Sequence, residues 1–401
     1  MTESPNRHQP IDDLCAKFWQ TPSVNTTPHS PPIYLASVYA CDSPAAARDT
    51  LTGKTPGYVY QRDGHPNGDM LAQRCRDLHG ATWCEITSSG MSAYSALMLA
   101  TCTPGDHLLL SQDLYGRSLD LLDSEATRWG MTATRIDTSD LSQVRPAIAA
   151  QPPKLLVVET ISNPTLKLAD LPQLAELCHA AGTLLVVDNT FASPYACQPL
   201  RHGADFVVES LTKIMNGHAD GLLGMIAGSG HEHAEIRRML SIWGLTAGAF
   251  DCWLAARGLS TLHLRADRAA DNAQQIAGFL ATQPAVETVL YPGLPTHPQH
   301  QLAQTVLPRS QGTIVTFTLS ATAGQEEATA ARFIENVPEI PFCPSLGDLS
   351  TTLSHPASTS HRNLTPQQLA GLGISGATIR LSVGVESAEF LVEVLARGVR
   401  K

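Results

Sequence analysis

An amine at the exit of a buried strand is a candidate for covalent chemistry. The apolar run Asp205-Phe206-Val207-Val208 leads directly into Glu209-Ser210-Leu211-Thr212-Lys213. Hydroxyls three and one positions before the lysine give it the look of a Schiff-base site beside a phosphate cradle. The plain alternative, a solvated lysine after an edge strand, is what these five residues favour by themselves. Asp188 poses a second choice, because it closes the run Leu184-Leu185-Val186-Val187. A carboxylate there is unfavourable to bury unless a cation such as a protonated pyridinium nitrogen meets it, and otherwise it caps a turn with Asn189. Ser89-Gly90-Met91 opens a stretch rich in Ala, Leu and Met. The free N–H groups of such a helix start suit a phosphate, although most starts of this kind only cap. Tyr115, in Asp113-Leu114-Tyr115-Gly116, has a ring that either lies on a flat ligand or simply packs.

These residues need a scaffold, and the patterning supplies one. Short β-like runs at 107–111, 154–159, 183–188 and 205–209 are separated by mostly helix-like segments such as Leu171 to Ala181. Alternation of this kind predicts an α/β fold with a central, mainly parallel sheet, helices on both faces and ligands at the carboxyl ends of the strands. Each run ends in a polar cluster: Ser111 to Asp113, Glu159 to Asn163, Asp188 to Thr190, and Ser210 to Lys213. One crevice is expected to collect all four. Helical spacing predicts helices from Gly68 to His79, stopped by Gly80, and from Met91 to Ala100. Beyond residue 250 the pattern changes to one long helix from Phe250 to Leu280, strands at Thr313–Leu319 and Thr378–Val383, and an amphipathic helix from Ser387 to Val399. The expected division is an extended N-terminal arm over 1–60, a large α/β domain over 61–250 and a smaller C-terminal α+β domain over 251–401. Six prolines within residues 1–32 suit an arm that reaches a neighbouring subunit.

Composition excludes several functions. The chain has 401 residues, 43% of them hydrophobic, which is enough for a large core. With Lys+Arg 27 against Asp+Glu 37, a net charge of −10 and no basic run, nucleic acid is not an expected partner. Nine scattered cysteines without a C-x-x-C pair speak against a disulfide framework and against a metal site, and they fit a reducing compartment. No stretch reads as a secretion signal or a membrane span, so a cytoplasmic protein that avoids membranes is expected.

Taken together, Tyr60-Gln61-Arg62, Ser88-Ser89-Gly90-Met91, Asp113-Leu114-Tyr115-Gly116, Glu159 through Asn163-Pro164, Val187-Asp188-Asn189-Thr190-Phe191, Ser210-Leu211-Thr212-Lys213, Arg257-Gly258-Leu259, Ser345-Leu346-Gly347 and Ile379-Arg380-Leu381-Ser382-Val383-Gly384 are specific in order and spacing. From about Ile33 to about Glu386 the chain resembles the cystathionine and methionine metabolism family of pyridoxal-phosphate enzymes. That family includes cystathionine γ-synthases and lyases, methionine γ-lyases and homoserine-ester sulfhydrylases.

The resemblance implies the fold-type I architecture, pyridoxal 5'-phosphate as cofactor, and a catalytic set of Lys213, Tyr115 and Tyr60. It implies that Lys213 binds the cofactor covalently and shuttles protons, that Asp188 keeps the ring nitrogen protonated, that Asn163 contacts the ring hydroxyl and that Tyr115 stacks on the ring. Ser89, Gly90, Met91, Ser210 and Thr212 would hold the phosphate, joined by Tyr60 and Arg62 from a neighbouring subunit in a dimer of dimers. Arg380 would clamp the substrate carboxylate, with Ser345, Thr351, Asn163 and Arg117 around the substrate. The implied reaction makes or breaks a C–S bond at the γ carbon of a homoserine- or homocysteine-derived amino acid. A β-lyase of cystathionine or cysteine conjugates is the alternative, and a silent scaffold the alternative of another class. Arg117, where relatives commonly carry Gly or Cys, Ser350-Thr351 in place of Glu-Ser, His65 where many members carry Asn, and Val59 are departures that bear on the substrate.

Overall fold

The computed structural model describes residues 25–400. Positions 1–24, the first part of the expected arm and the site of Cys15, lie outside the described residues. Residues 25–32 carry neither helix nor strand.

From residue 33 onward two sheets organise the chain. The first holds seven strands: β1 (Trp83–Thr87), β2 (His107–Ser111), β3 (Thr132–Ile136), β4 (Leu155–Glu159), β5 (Leu184–Asp188), β6 (Phe206–Glu209) and β7 (Gly224–Gly228), in the order β1-β7-β6-β5-β4-β2-β3. The pairs from β6 through β3 are parallel, and β7 runs antiparallel to both β6 and β1. Both faces of this sheet are covered, which is why β2, β4 and β5 read as unbroken apolar runs rather than alternating ones. Successive side chains still part company: Leu156, Val158, Leu185 and Val207 join the helix Leu171–Ala181 in one core. Leu155, Val157, Val186 and Val208 join the helix Gly90–Thr101 in another.

The second sheet, β8 (Val286–Leu290), β9 (Ile314–Leu319), β10 (Thr352–Ser354) and β11 (Thr378–Ser382), is antiparallel in the order β10-β11-β9-β8. Val315, Phe317, Ile379 and Leu381 build its core with the C-terminal helix Ala388–Gly398, whose Leu391, Val394 and Leu395 are buried. The α/β expectation with a smaller antiparallel addition therefore holds.

Two expectations are corrected. The single helix over 250–280 is two, Ala249–Leu259 and Leu262–Ala281. The break lets Arg265 reach back, its Nη2 donating to Gly258 O at 3.0 Å and its Nε to Thr261 Oγ1 at 3.1 Å, so the guanidinium satisfies the end of the first helix. Five strands went unanticipated, and β7 shows why. Its sequence Gly-Met-Ile-Ala-Gly carries little β propensity, yet all five residues are buried. A Cβ at Gly224 would come within 2.3 Å of Ser89 O, so the strand is glycine where the start of the helix Gly90–Thr101 presses on it.

Candidate active site

The ends of three parallel strands build the site. Register places Glu159 of β4 beside Asp188 of β5, and Asp188 beside Val208 of β6, so the residues that follow each strand emerge at one edge. They open on a cavity of about 280 Å³ lined by Ser89, Gly90, Met91, Tyr115, Asn163, Asp188, Ser210, Thr212, Lys213 and Arg380. Ten of the residues singled out in the sequence thus share one wall.

Lys213 lies in the turn after β6, which is closed by Lys213 N donating to Ser210 O and Gly217 N donating to Lys213 O. Its Nζ donates to Ser345 Oγ at 3.1 Å. Burial lowers the ammonium pKa and the Arg380 cation lowers it further, against the opposing charge of Asp348. A lysine so placed gives up its proton more readily than one in water. From below, Arg265 donates to Ile214 O at 2.8 Å and Met215 O at 3.1 Å and fixes the turn.

Asp188 accepts from Tyr94 Oη at 3.0 Å and from Thr190 N at 2.9 Å. Desolvation raises its pKa, with those hydrogen bonds opposing. Glu159 accepts from Tyr115 N at 2.7 Å and from Asn163 N at 3.2 Å, so one carboxyl group sets both loops. Burial and the neighbouring Asp188 push Glu159 well above the usual carboxylate range.

Arg380, at 5% exposure, donates to Asn163 Oδ1 and to Ser345 O, both at 2.8 Å, while its Nε has no partner among the described residues. Both of these acceptors are neutral oxygens, and burial lowers its pKa to about 10. A buried guanidinium held by neutral groups is prepared for an anion.

Tyr60 and Arg62 line another cavity, of about 650 Å³, and not the one around Lys213 in this chain, as residues expected to act from a neighbouring subunit would. Four other expectations about position differ from the structure. Ser345 acts through its Oγ and carbonyl beside the lining rather than in it. Thr351 is buried and committed elsewhere: its Oγ1 donates to Glu386 Oε2 and accepts from Gly384 N, both at 2.9 Å, so it holds a loop together. Arg117 lines a neighbouring cavity and pairs with Asp120 at 3.1 Å. The Ser111–Asp113 cluster turns to Lys167, which Asp113 meets at 3.1 Å, and only Tyr115 beyond it enters the cavity. Tyr94 and Asp348 had no place in the sequence reading, while Glu159, Thr190 and Phe191 stood in the expected clusters and motifs without a role of their own. Glu159 had a signal, an acid closing an apolar run like Asp188, whereas Tyr94 on its helix had none.

Comparison with known proteins agrees with this geometry. The chain matches the family described as Cys/Met metabolism PLP-dependent enzyme over residues 14–400. It is 38% identical to an O-succinylhomoserine sulfhydrylase of Pseudomonas aeruginosa, over 92% of this chain and 91% of that one. It is 35% identical to an L-methionine gamma-lyase of Fusobacterium nucleatum, over 92% and 93% respectively. The crystal structure of cystathionine gamma synthase from Xanthomonas oryzae in complex with aminoacrylate and cysteine superposes with a TM-score of 0.86 at 35% identity, covering 92% of each chain. A parallel sheet whose strand ends gather a lysine and an acid, faced by a buried arginine from the second sheet, fits a pyridoxal-phosphate-dependent enzyme, the class to which the matched family belongs. More narrowly, the chain belongs to the Cys/Met metabolism family of these enzymes.

The residues present fit the cofactor. The Ser89–Gly90 turn and Ser210 leave room for an oxyanion: a Cβ at Gly90 would lie 3.1 Å from Ser210 Cβ, and the first N–H groups of the helix Gly90–Thr101 have no intrahelical acceptor. Asp188 is a desolvated carboxylate of the kind that a ring N–H stabilises. Among the described residues no helix is long and apolar enough to cross a membrane and no metal-binding cluster occurs.

Proposed function

We propose that the chain makes or breaks a bond from sulfur or an ester oxygen to the γ carbon of a homoserine- or homocysteine-derived amino acid, in the cavity around Lys213. The observation that carries this reading is the pairing of a buried, anion-ready guanidinium at Arg380 with the depressed amine of Lys213. Together they define a pocket for an α-amino acid. Bound pyridoxal phosphate supplies an electron sink conjugated with the substrate's amino group. Lys213 would hold it, Asp188 would face its ring nitrogen, Tyr115 would lie against its ring and Asn163 beside its hydroxyl. Ser89, Gly90, Met91, Ser210 and Thr212 would cradle its phosphate.

The chain's own groups then divide the work. Arg380 orients the α-carboxylate, and Asn163 and Ser345 hold its planar fork aimed. Lys213 Nζ, once free, takes the proton from Cα. A second proton leaves Cβ, the pair it leaves behind forms the Cβ–Cγ double bond, and the γ substituent departs with the bonding pair that joined it to Cγ. Tyr115, 43% exposed at the mouth, is placed to pass a proton to the leaving group. Tyr60 and Arg62 would act from the partner subunit of a dimer of dimers. This is supported by their distance from the site in their own chain and by the exposed apolar run Ile33, Tyr34, Leu35 and Val38. The same segment supports an intersubunit arm ending near residue 60, with a cofactor domain over 61–250 and a smaller domain over 251–401. A cytoplasmic setting is supported by the eight free cysteines among the described residues.

The test is product analysis of the holoenzyme given, separately, cystathionine, methionine, cysteine, and an O-acyl-homoserine with sulfide. α-Ketobutyrate reports γ-elimination and homocysteine from the ester reports γ-replacement. Pyruvate alone would show β-elimination and overturn the γ assignment. Lys213→Ala is expected to lose the visible cofactor band together with turnover.

A further inference from the structure

We propose that the hydroxyl of Tyr94 acts on the cofactor through Asp188: by donating a hydrogen bond to that carboxylate it keeps their shared proton on the ring nitrogen, and so speeds removal of the proton at Cα. Tyr94 is a positioning residue in this role, because it works through the carboxylate rather than on the reacting atoms. The role rests on the placement of Asp188 against the ring nitrogen given above, and it applies to any reaction that begins at Cα.

Three features of the site carry it. Tyr94 Oη donates to Asp188 Oδ2 at 3.0 Å, from a side chain that is only 2% exposed and yet forms part of the cavity wall. Its helix is the second feature. Tyr94 stands four positions after Gly90 on the helix Gly90–Thr101, so the two share a face. One rigid element therefore supplies both the N-terminal N–H groups suited to the phosphate and the hydroxyl that meets Asp188. The third feature is the charge around that acid. Glu159 stands beside Asp188 in strand register, and Glu209 of β6 adds a second negative field. Burial disfavours the Asp188 charge and Glu209 adds to that, while hydrogen bonds from Thr190 and then Tyr94 oppose both. Thr190 gives its main-chain N–H, at 2.9 Å, which a side-chain substitution leaves in place, so the phenol is the removable donor. Hydrogen bonds to a carboxylate favour its charged form. Without this one Asp188 becomes the stronger base, the shared proton moves from the ring nitrogen to the carboxyl group, and the electron sink weakens. Tyr94 does not take that proton's place, since burial and the neighbouring Asp188 hold its own pKa well above the usual phenol value and keep it a donor.

Tyr94→Phe is the test, because it removes one oxygen and keeps the ring in the core it shares with Leu97, Leu108 and Val186. The holoenzyme is loaded with pyridoxal 5'-phosphate isotopically labelled at its ring nitrogen, and the nitrogen NMR shift is read without substrate. Wild type is expected to show a protonated ring nitrogen, Tyr94→Phe a shift displaced toward that of a neutral pyridine, and Asp188→Asn the neutral value itself. The kinetic consequence is read from exchange of the Cα proton of L-alanine in deuterated water. L-Alanine carries no leaving group, so the rate is independent of which elimination or replacement the enzyme performs. Tyr94→Phe should slow this exchange about tenfold and leave KM within about twofold of wild type. If Tyr94 only fills the core, neither the shift nor the exchange rate moves. An unchanged nitrogen shift, or an unchanged exchange rate, in Tyr94→Phe refutes the role of Tyr94 and leaves the proposed function standing. A neutral ring nitrogen in the wild type overturns the placement of Asp188 and this role with it, whereas pyruvate as the sole product in the assay above overturns the γ assignment and leaves the role of Tyr94 intact.

Discussion

Beneath the strand ends lies a polar chain whose disruption can be predicted in size. His79, Asn189 and Glu209 are each 0% exposed, and His79 Nε2 stands 3.5 Å from Glu209 Oε1, a polar contact that falls short of a hydrogen bond. Glu209 Oε1 also accepts from Asn189 Nδ2 at 2.7 Å, and Asn189 Oδ1 accepts from Thr160 Oγ1 at 2.7 Å. The chain therefore ties the helix Pro66–His79 to the ends of β4, β5 and β6, one residue from both Asp188 and Ser210. Glu209 Oε2 has no partner among the described residues, so the imidazole joins the Asn189 amide in offsetting the buried carboxyl. His79→Leu keeps the volume roughly filled and removes that offset. Leaving a buried carboxyl with one polar neighbour fewer costs about 2–3 kcal/mol. At about 2.1 cal/mol/K per residue, unfolding 401 residues carries an entropy of about 0.84 kcal/mol/K, so Tm should fall by about 2–4 °C if the chain unfolds as one unit. Adding Glu209→Met to His79→Leu removes the stranded carboxyl and should recover at least half of the loss. Scanning calorimetry of the holoenzyme at fixed concentration measures all three. A His79→Leu melting point within about 1 °C of wild type, or a double variant no more stable than the single one, would refute the reasoning.

The other predictions concern the cavity and its supports. Arg380→Ala should lower kcat/KM by about 10²- to 10³-fold, since a buried charged clamp is lost, and Arg380→Lys should restore little because a point charge cannot span Asn163 and Ser345. Arg265→Ala should cost about 2–4 kcal/mol by stranding the carbonyls of Ile214, Met215 and Gly258, and should speed cofactor release on dialysis; equal release rates would show that the Lys213 turn holds itself. His361, with a pKa of about 4 in the fold against 6.5 for the free side chain, binds fewer protons folded than unfolded between those values. Its contribution is therefore present above pH 6.5 and is lost as pH falls toward 4, by about 3 kcal/mol in all. His361→Gln should flatten the acid limb of a stability profile over that window, and an unchanged limb would assign it to the carboxylates.

How much was legible in the sequence follows from what kind of signal each feature leaves. Asp188 and Lys213 follow runs of apolar residues and Arg380 interrupts one, and a charged group at the end of a buried strand or inside it is visible as a break in pattern. That same pattern determined the α/β fold, because β2, β4 and β5 must be apolar on both faces to lie between two layers of helices. Tertiary structure alone decided the rest. Thr351 and Ser345 are six residues apart in one loop, yet Thr351 spends its hydrogen bonds on Glu386 and Gly384 while Ser345 meets Lys213, a difference set by which way the loop packs. Arg117 follows Tyr115 by two residues but opens into another cavity. Tyr94 reaches Asp188 across 94 positions, and His79 reaches Glu209 across a comparable gap, from helices whose sequences show only spacing. Local pattern reports which residues must be buried or must end a strand. Which of them then meet depends on contacts between distant segments, and those are fixed only when the layers close.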